Sequence, residues 1–271
     1  MTQIIRCETD AMHVDVLLDT FGAAWGDVRD AANAASDAGF SGIWTFDHVD
    51  GRVYDAPHVL EGWTVLSALA ASVADVMIGP LVLNVANRNP GIVAAMTATL
   101  QQIAPGRLLI GLGAGARPGT QYAREQRAIG QPVYADGQRR VQVEHCIDDV
   151  RRLWRLPGFL RPDPEPPFIV GASGPKLAEL AGRVGDGINV RASHPQLGDL
   201  IAIARDAHGR VGGDGSRFIV TVLAGFDERW VAPDSSDHAR LAALGVDRLV
   251  LLAALPADPA RLAAAGRLIP R

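Results

Sequence analysis

Eight short apolar runs punctuate this chain, and the stretches between them are helical in pattern. The runs are HVDVLL (13–18), SGIWTF (41–46), VMIGPLVL (76–83), RLLIGLG (107–113), PFIVGA (167–172), DGINV (186–190), RFIVTVLAGF (217–226) and DRLVLLAA (247–254). Each is rich in Val, Ile and Leu and continuously hydrophobic, where a strand with one wet face would alternate. Such runs suit strands covered on both faces. Between them, WGDVRDAANAASDAG (25–39), HVLEGWTVLSALAASV (58–73), GIVAAMTATLQQIA (91–104) and DGQRRVQVEHCIDDVRRLW (136–154) place apolar residues at steps of three and four, the period of a helix face. Gly39 and Gly106 follow expected helix ends and Pro90 precedes a helix start. Alternating strand–helix units imply parallel strands with right-handed crossovers. Eight of them match the number at which an α/β barrel closes, whereas an open doubly wound sheet normally has fewer strands or a second domain. The Pro-rich LPGFLRPDPEPP (156–167) is short enough to be one loop. The expectation is an α/β fold: one (β/α)8 TIM barrel domain spanning residues 1–271.

Composition narrows the function. Hydrophobic residues make up 48% of the chain, enough for a large core, and the net charge of −4 comes with no basic stripe to meet phosphates, which argues against nucleic acid as the main partner. Cys7 and Cys146 lie far apart, with no CxxC or Cys/His metal spacing. No disulfide framework and no metal site are expected, and a reducing cytoplasm is the expected compartment. No apolar stretch reaches membrane-spanning length and the N-terminus lacks the apolar core of a signal peptide. Lys176 is the sole lysine among many arginines.

The run SGIWTF ends on Asp47 and His48. In a barrel, the C-terminal ends of the strands form the chemistry face. A histidine there can trade protons near neutral pH beside a carboxylate, although an Asp-His pair also suits an ordinary turn. LLIGLGAGARPG (108–119) superficially satisfies a dinucleotide fingerprint, but the following ARPGTQYAREQ suits poorly the helix that fingerprint needs. Its glycines fit a close backbone approach to a flat ligand, or a simple tight turn. IVGASGPKLAELAGRVGDG (169–187) ends a strand in small residues and starts a helix at Pro175. That is either a phosphate cradle or a helix capped by Ser173. Asn84, Asn87 and Arg88 follow the third run, where an Asn can bond a ring edge or shape the turn. Trp25, Trp63 and Trp154 are expected to pack, His58 and His145 to pack or lie on the surface, and Glu144 with Asp148 to form a solvated stripe.

Taken in order, AASDAGFSGIWTFDH (34–48), RLLIGLGAG (107–115), EQRAIGQPVYADGQRRVQVEHCIDDVRRLW (125–154) and PPFIVGASGPKLAELAGRVGDGINV (166–190) resemble the bacterial luciferase-like flavin and deazaflavin oxidoreductases. The resemblance implies a barrel that lays a flavin-type ring across its C-terminal mouth. It puts Asp47 and His48 beside the reactive ring edge, and Leu81-Val82 at a non-prolyl cis peptide behind the ring. Asn84 then lies among the cofactor contacts, Ala114, Gly115 and Ala116 over the ring and ribityl chain, and Ala172, Ser173 and Gly174 around the phosphate.

The Asp-His pair and the ASGP stretch resemble the branch that uses the deazaflavin coenzyme F(420), with FMN as the alternative. The implied activity is hydride transfer between that coenzyme and a small organic substrate, with His48 moving the proton and Asp47 orienting it. The alternatives are an FMN-dependent monooxygenase and a non-catalytic flavin-binding barrel. Ala116 stands where the sugar-phosphate dehydrogenase branch carries a Glu, which disfavours that substrate. The loops after the fourth, fifth and seventh strands are short for the family, implying an open pocket and an altered surface for the homodimer the resemblance suggests.

Overall fold

The computed structural model describes residues 11–212 and 218–269, so Cys7 and the expected strand residue Arg217 lie outside the described residues. Among the described residues, nine strand segments form one wholly parallel sheet that curls into a nearly closed barrel. In chain order they are β1 (His13–Leu18), β2 (Gly42–Thr45), β3 (Met77–Pro80), β4 (Leu83–Asn84), β5 (Ile110–Gly113), β6 (Phe168–Gly171), β7 (Gly187–Arg191), β8 (Ile219–Gly225) and β9 (Arg248–Ala253). The helices are α1 (Trp25–Ala38), α2 (Gly62–Ser72), α3 (Pro90–Ile103), α4 (Gln121–Ala128), α5 (Asp136–Leu153), α6 (Pro175–Val184), α7 (Leu197–Arg210), α8 (Ser236–Ala243) and α9 (Pro259–Gly266). Around the barrel the strands run β3-β2-β1-β9-β8-β7-β6-β5-β4.

The nine segments are eight staves. The expected third strand, 76–83, is split into β3 and β4 by Leu81-Val82, whose peptide bond is cis. β4 pairs with β5 through Leu83↔Leu112 and Asn84↔Gly113. Lower down, Ile78 bridges Leu108, its amide donating to the Arg107 carbonyl at 2.7 Å while the Leu109 amide donates to the Ile78 carbonyl at 2.9 Å. Glycine permits that approach: a Cβ on Gly79 would fall 2.0 Å from the Leu109 carbonyl oxygen.

Side chains alternate across each stave. Val14, Val16 and Leu18 of β1 join the shell under the helices, whereas Leu17 faces a separate buried cluster with Trp44, Leu81, Leu109 and Val250. The charge that Asp15 brings into that interior is held by two partners. Arg248 of β9 donates to both oxygens of Asp15 of β1 at 2.7 Å, and Trp44 of β2 donates its indole N–H to Asp15 Oδ2 at 2.9 Å. Asp15 is fully buried and Arg248 nearly so.

Several expectations are corrected. Trp63 and Trp154 are buried, Trp154 stacking on Phe168 and donating to the Ala94 carbonyl, but Trp25 opens α1 at 37% exposure because only one side of that first turn meets the barrel. α2 begins at Gly62 rather than at residue 58, because His58 and Val59 pair back onto Gly22 and Phe21. Glu144 is not merely solvated: it binds Arg183 of α6, its Oε2 accepting at 2.9 Å, and so ties α5 to α6. Cys146 is buried as a free thiol, pushed up to about 12 by its burial.

Removing one member of a buried ion pair strands the other. Arg248→Ala is expected to cost about 3 kcal/mol or more in urea denaturation. Adding Asp15→Asn to Arg248→Ala should cost less than the two single effects summed. Simple additivity in that cycle would show that the pair is not a unit.

Candidate active site

A cavity of about 510 Å³ opens at the C-terminal ends of the strands. Its wall includes ten of the eleven residues expected there: Asp47, His48, Leu81, Val82, Asn84, Ala114, Gly115, Ala116, Ala172 and Ser173. Gly174 borders an adjoining cavity. Local chemistry explains the assembly. β2 delivers Asp47 and His48 two and three residues beyond Thr45, and α2 packs so closely behind them that a Cβ on Gly62 would lie 1.9 Å from the Phe46 carbonyl oxygen.

Asp47 and His48 are neighbours in sequence but serve different partners, which corrects the expectation that Asp47 orients the imidazole. Asp47, 6% exposed, accepts the Asn84 amide on Oδ2 at 2.8 Å and pairs through Oδ1 with Arg88. Arg88 also donates to Glu61 at 2.6 Å. Burial pushes the Asp47 carboxyl above its ordinary range, and the Arg88 guanidinium and Asn84 amide oppose that without cancelling it. The Asp47 side chain thus pins the end of β2 to the segment after β4. Asn84 turns its own side-chain oxygen back onto the Ala86 amide at 3.0 Å, shaping the turn as one sequence reading allowed.

The partner of His48 is Glu125 on α4. Glu125 Oε2 lies 2.9 Å from His48 Nδ1, while Oε1 accepts from the amides of Val49 at 2.5 Å and Asp50 at 3.1 Å. Burial alone would raise this 2%-exposed carboxyl, but the hydrogen bonds from His48 and the two amides outweigh it and hold Glu125 below the usual carboxylate range. An anionic carboxylate only accepts, so Nδ1 carries the proton and Nε2 is the ring nitrogen left for a ligand. Four aromatic rings surround the imidazole, with centroids at 5.2 Å for Phe21, 5.9 Å for Phe46, 6.1 Å for Tyr54 and 5.7 Å for Tyr122, the last nearly parallel. The Tyr54 and Tyr122 hydroxyls meet at 2.7 Å. Half-burial and that hydrogen bond push the Tyr54 phenol up to about 12.

On the opposite side the chain is nearly bare of side chains. Gly115 sits at φ 75°, and Arg139 of α5 donates to the carbonyls of Ala114 at 3.2 Å and Gly115 at 2.7 Å, while Gln126 accepts the Ala116 amide at 2.9 Å. The Ser173 capping alternative is not realised: α6 is capped at Gly174, with no side-chain cap, and Ser173 faces the cavity instead.

The sequence reading assigned no role to Glu125, Arg139, Tyr54 or Tyr122. Nothing local marks them, since each acquires its meaning from a residue far along the chain; Glu125 lies 77 positions from His48.

A sequence model of the luciferase-like monooxygenase family matches residues 9–226. The chain is 34% identical over 170 residues to the F(420)-dependent glucose-6-phosphate dehydrogenase of Beutenbergia cavernae, covering 56% of this chain and 48% of that protein. It is 29% identical over 237 residues to the F(420)-dependent hydroxymycolic acid dehydrogenase of Mycobacterium tuberculosis, covering 80% and 64%. The chain thus spans about half to two-thirds of the length of these relatives. Among solved structures, an F(420)-dependent secondary alcohol dehydrogenase in complex with an F(420)-acetone adduct superposes with a TM-score of 0.78 at 19% identity, over 96% of this chain and 98% of that one, and has the same fold.

Because Glu125 satisfies three donors, Glu125→Ala is expected to destabilise the protein by about 2 kcal/mol or more, and Glu125→Gln by less. Urea denaturation of the two variants checks this; equal stability of Glu125→Ala and the parent would mean that the three contacts contribute nothing.

Proposed function

The chain belongs to the luciferase-like monooxygenase family, and from that membership we propose that it is an oxidoreductase dependent on the deazaflavin coenzyme F(420), built as one barrel domain, in which His48 handles the proton that accompanies hydride transfer. The observation that carries this is the His48–Glu125 pair, which leaves one basic ring nitrogen available in the cavity. The relatives from B. cavernae and M. tuberculosis are named for the same coenzyme, and the structural neighbour holds its adduct with acetone.

The residues present fit such a ligand. Leu81, Val82, Gly113 and Ala172 give the cavity a small, apolar wall suited to a flat ring, and Gly113 is packed so tightly on Val82 that a Cβ would lie 2.4 Å from Cγ2. At Ser173-Gly174 the backbone meets the uncapped start of α6, and a Cβ on Gly174 would meet nothing within 4 Å, an open cradle for a phosphate. The coenzyme supplies a ring carbon that takes or gives hydride. Asp47 and Arg88 fix the strand ends that form the wall, and the four aromatic rings hold the imidazole in place. When an alcohol is oxidised, its C–H bond breaks with both electrons leaving as hydride, its O–H proton passes to His48 Nε2, and a carbonyl remains; the reverse returns both. Glu125 stabilises the imidazolium so formed. Ala116 stands where the sugar-phosphate branch, by resemblance, carries an acid, so a small alcohol or its carbonyl is the proposed substrate. The same reading assigns the protein to the reducing cytoplasm and to a homodimer. Among the described residues no helix is long and apolar enough to cross a membrane.

Titration with the deazaflavin coenzyme and with FMN, followed by fluorescence, tests the reading: tight binding of the deazaflavin and weak binding of FMN is expected, and the reverse preference would favour an oxygen-consuming monooxygenase. His48→Ala is expected to lower kcat roughly 100-fold or more while cofactor affinity stays within a few-fold. Undiminished turnover would remove His48 from the reaction. Glu125→Gln should lower kcat by a smaller factor, with KM little changed.

A further inference from the structure

The charged side chains that line the main cavity are matched with opposite charges, except at one place. Asp47 is held by Arg88, Glu125 by His48, and Arg117 and Arg139 share Asp136. Arg191, the last residue of β7, also lines the cavity and has no carboxylate partner among the described residues. It is exposed at the mouth, where water solvates its charge until a ligand enters. Its guanidinium lies within reach of the Tyr54 phenol, where its positive charge and hydrogen bond oppose the rise that burial and Tyr122 impose on that hydroxyl. One phenol oxygen engages little of a guanidinium that carries five N–H donors in a planar fork.

The place of Arg191 says which molecule it serves. Tyr54 stands beside the reactive imidazole, ring centroids 6.1 Å apart and planes perpendicular. The guanidinium and His48 therefore flank the same ring, at the end of the cavity where the proton moves, and a group held by Arg191 is only a few bonds from a carbinol at Nε2. A single unmatched guanidinium suits a carboxylate, which carries one charge and accepts two parallel N–H bonds. A phosphate ester carries about −1.5 to −2 near neutral pH and would keep charge unmatched. Resting on the function above, we propose that Arg191 is a specificity-determining residue that binds a carboxylate on the substrate, so that the alcohol oxidised at His48 is a short hydroxy acid and the product its oxo acid. The carboxylate takes no part in the bond changes: hydride leaves the carbinol carbon for the coenzyme, the hydroxyl proton passes to His48, and the acid group stays bound.

The test uses lactate and 3-hydroxybutyrate, each against its own uncharged amide, on the coenzyme-loaded parent and on Arg191→Gln and Arg191→Lys variants with matched melting curves. Binding is read by ligand-observed NMR and turnover by KM and kcat separately. The parent is expected to prefer at least one acid over its amide by about ten-fold, the scale of a charge-assisted contact. That preference should fall to within about two-fold in Arg191→Gln, through KM more than kcat, and be partly kept in Arg191→Lys, whose charge remains but whose fork is lost. It should also shrink as salt rises. A parent that binds each acid no better than its amide, or an Arg191→Gln variant that loses acid and amide equally, overturns the proposal. If the parent does not bind the coenzyme, the functional reading fails on its own, and the same acid and amide are titrated into the unloaded protein. An acid preference there that Arg191→Gln abolishes would support the carboxylate site, and its absence would remove the site as well.

Discussion

The ion pair between Asp15 and Arg248 joins residues 233 positions apart, and the rest of the molecule depends on it. A parallel barrel closes only if its first and last strands meet, and here they meet along six paired positions, from His13↔Arg248 to Leu18↔Ala253. The pair sits inside that seam and recruits Trp44 of the next stave through its indole N–H. Two charges in so apolar an interior stabilise nothing by being buried; they are tolerated because bidentate geometry and the indole satisfy them. Their effect is to fix one register. Slipping any of these strands by one residue would exchange its interior and helix-facing side chains, turning Asp15 into the apolar shell and Val16 into its place.

At the other end of the same staves the polar residues have a different logic. Asp47 and His48 follow the last residue of β2 that the core can hold, and each is caught by a partner from another element: Asp47 by Arg88 and the Asn84 amide, His48 by Glu125. The first contact joins two staves and the second brings α4 over the mouth. A side chain with one nitrogen committed to a buried anion and the other facing a cavity has its tautomer set before any ligand arrives, which is the preorganisation that acid–base chemistry requires.

Charge is distributed unevenly along the two cavities. Near His48 the wall is aromatic, with the Glu125 carboxylate set against the imidazole and Tyr54 held well within its protonated range. Beyond Ser173 it becomes cationic.

The alternation of apolar runs and helical segments determined the barrel, because period and burial are local properties of the chain. Eight runs became eight staves with ends within three residues of those expected, and strand ends carrying Asp47, Asn84, Ala114 and Ala172 had to gather at one face once the strands were parallel. A split third stave was legible at Leu81-Val82 only through family resemblance, since no periodicity distinguishes VMIGPLVL from an unbroken strand. What only the tertiary structure decided is which side chains pair. Adjacent in sequence, Asp47 and His48 looked like a couple, yet successive side chains leaving a strand diverge, and each found its partner on an element folded in from elsewhere. Glu125 and Arg139 carry no local mark, for an acid in a short helix and a base in an arginine-rich one are ordinary until packing sets the first against an imidazole and the second against the carbonyls of Ala114 and Gly115.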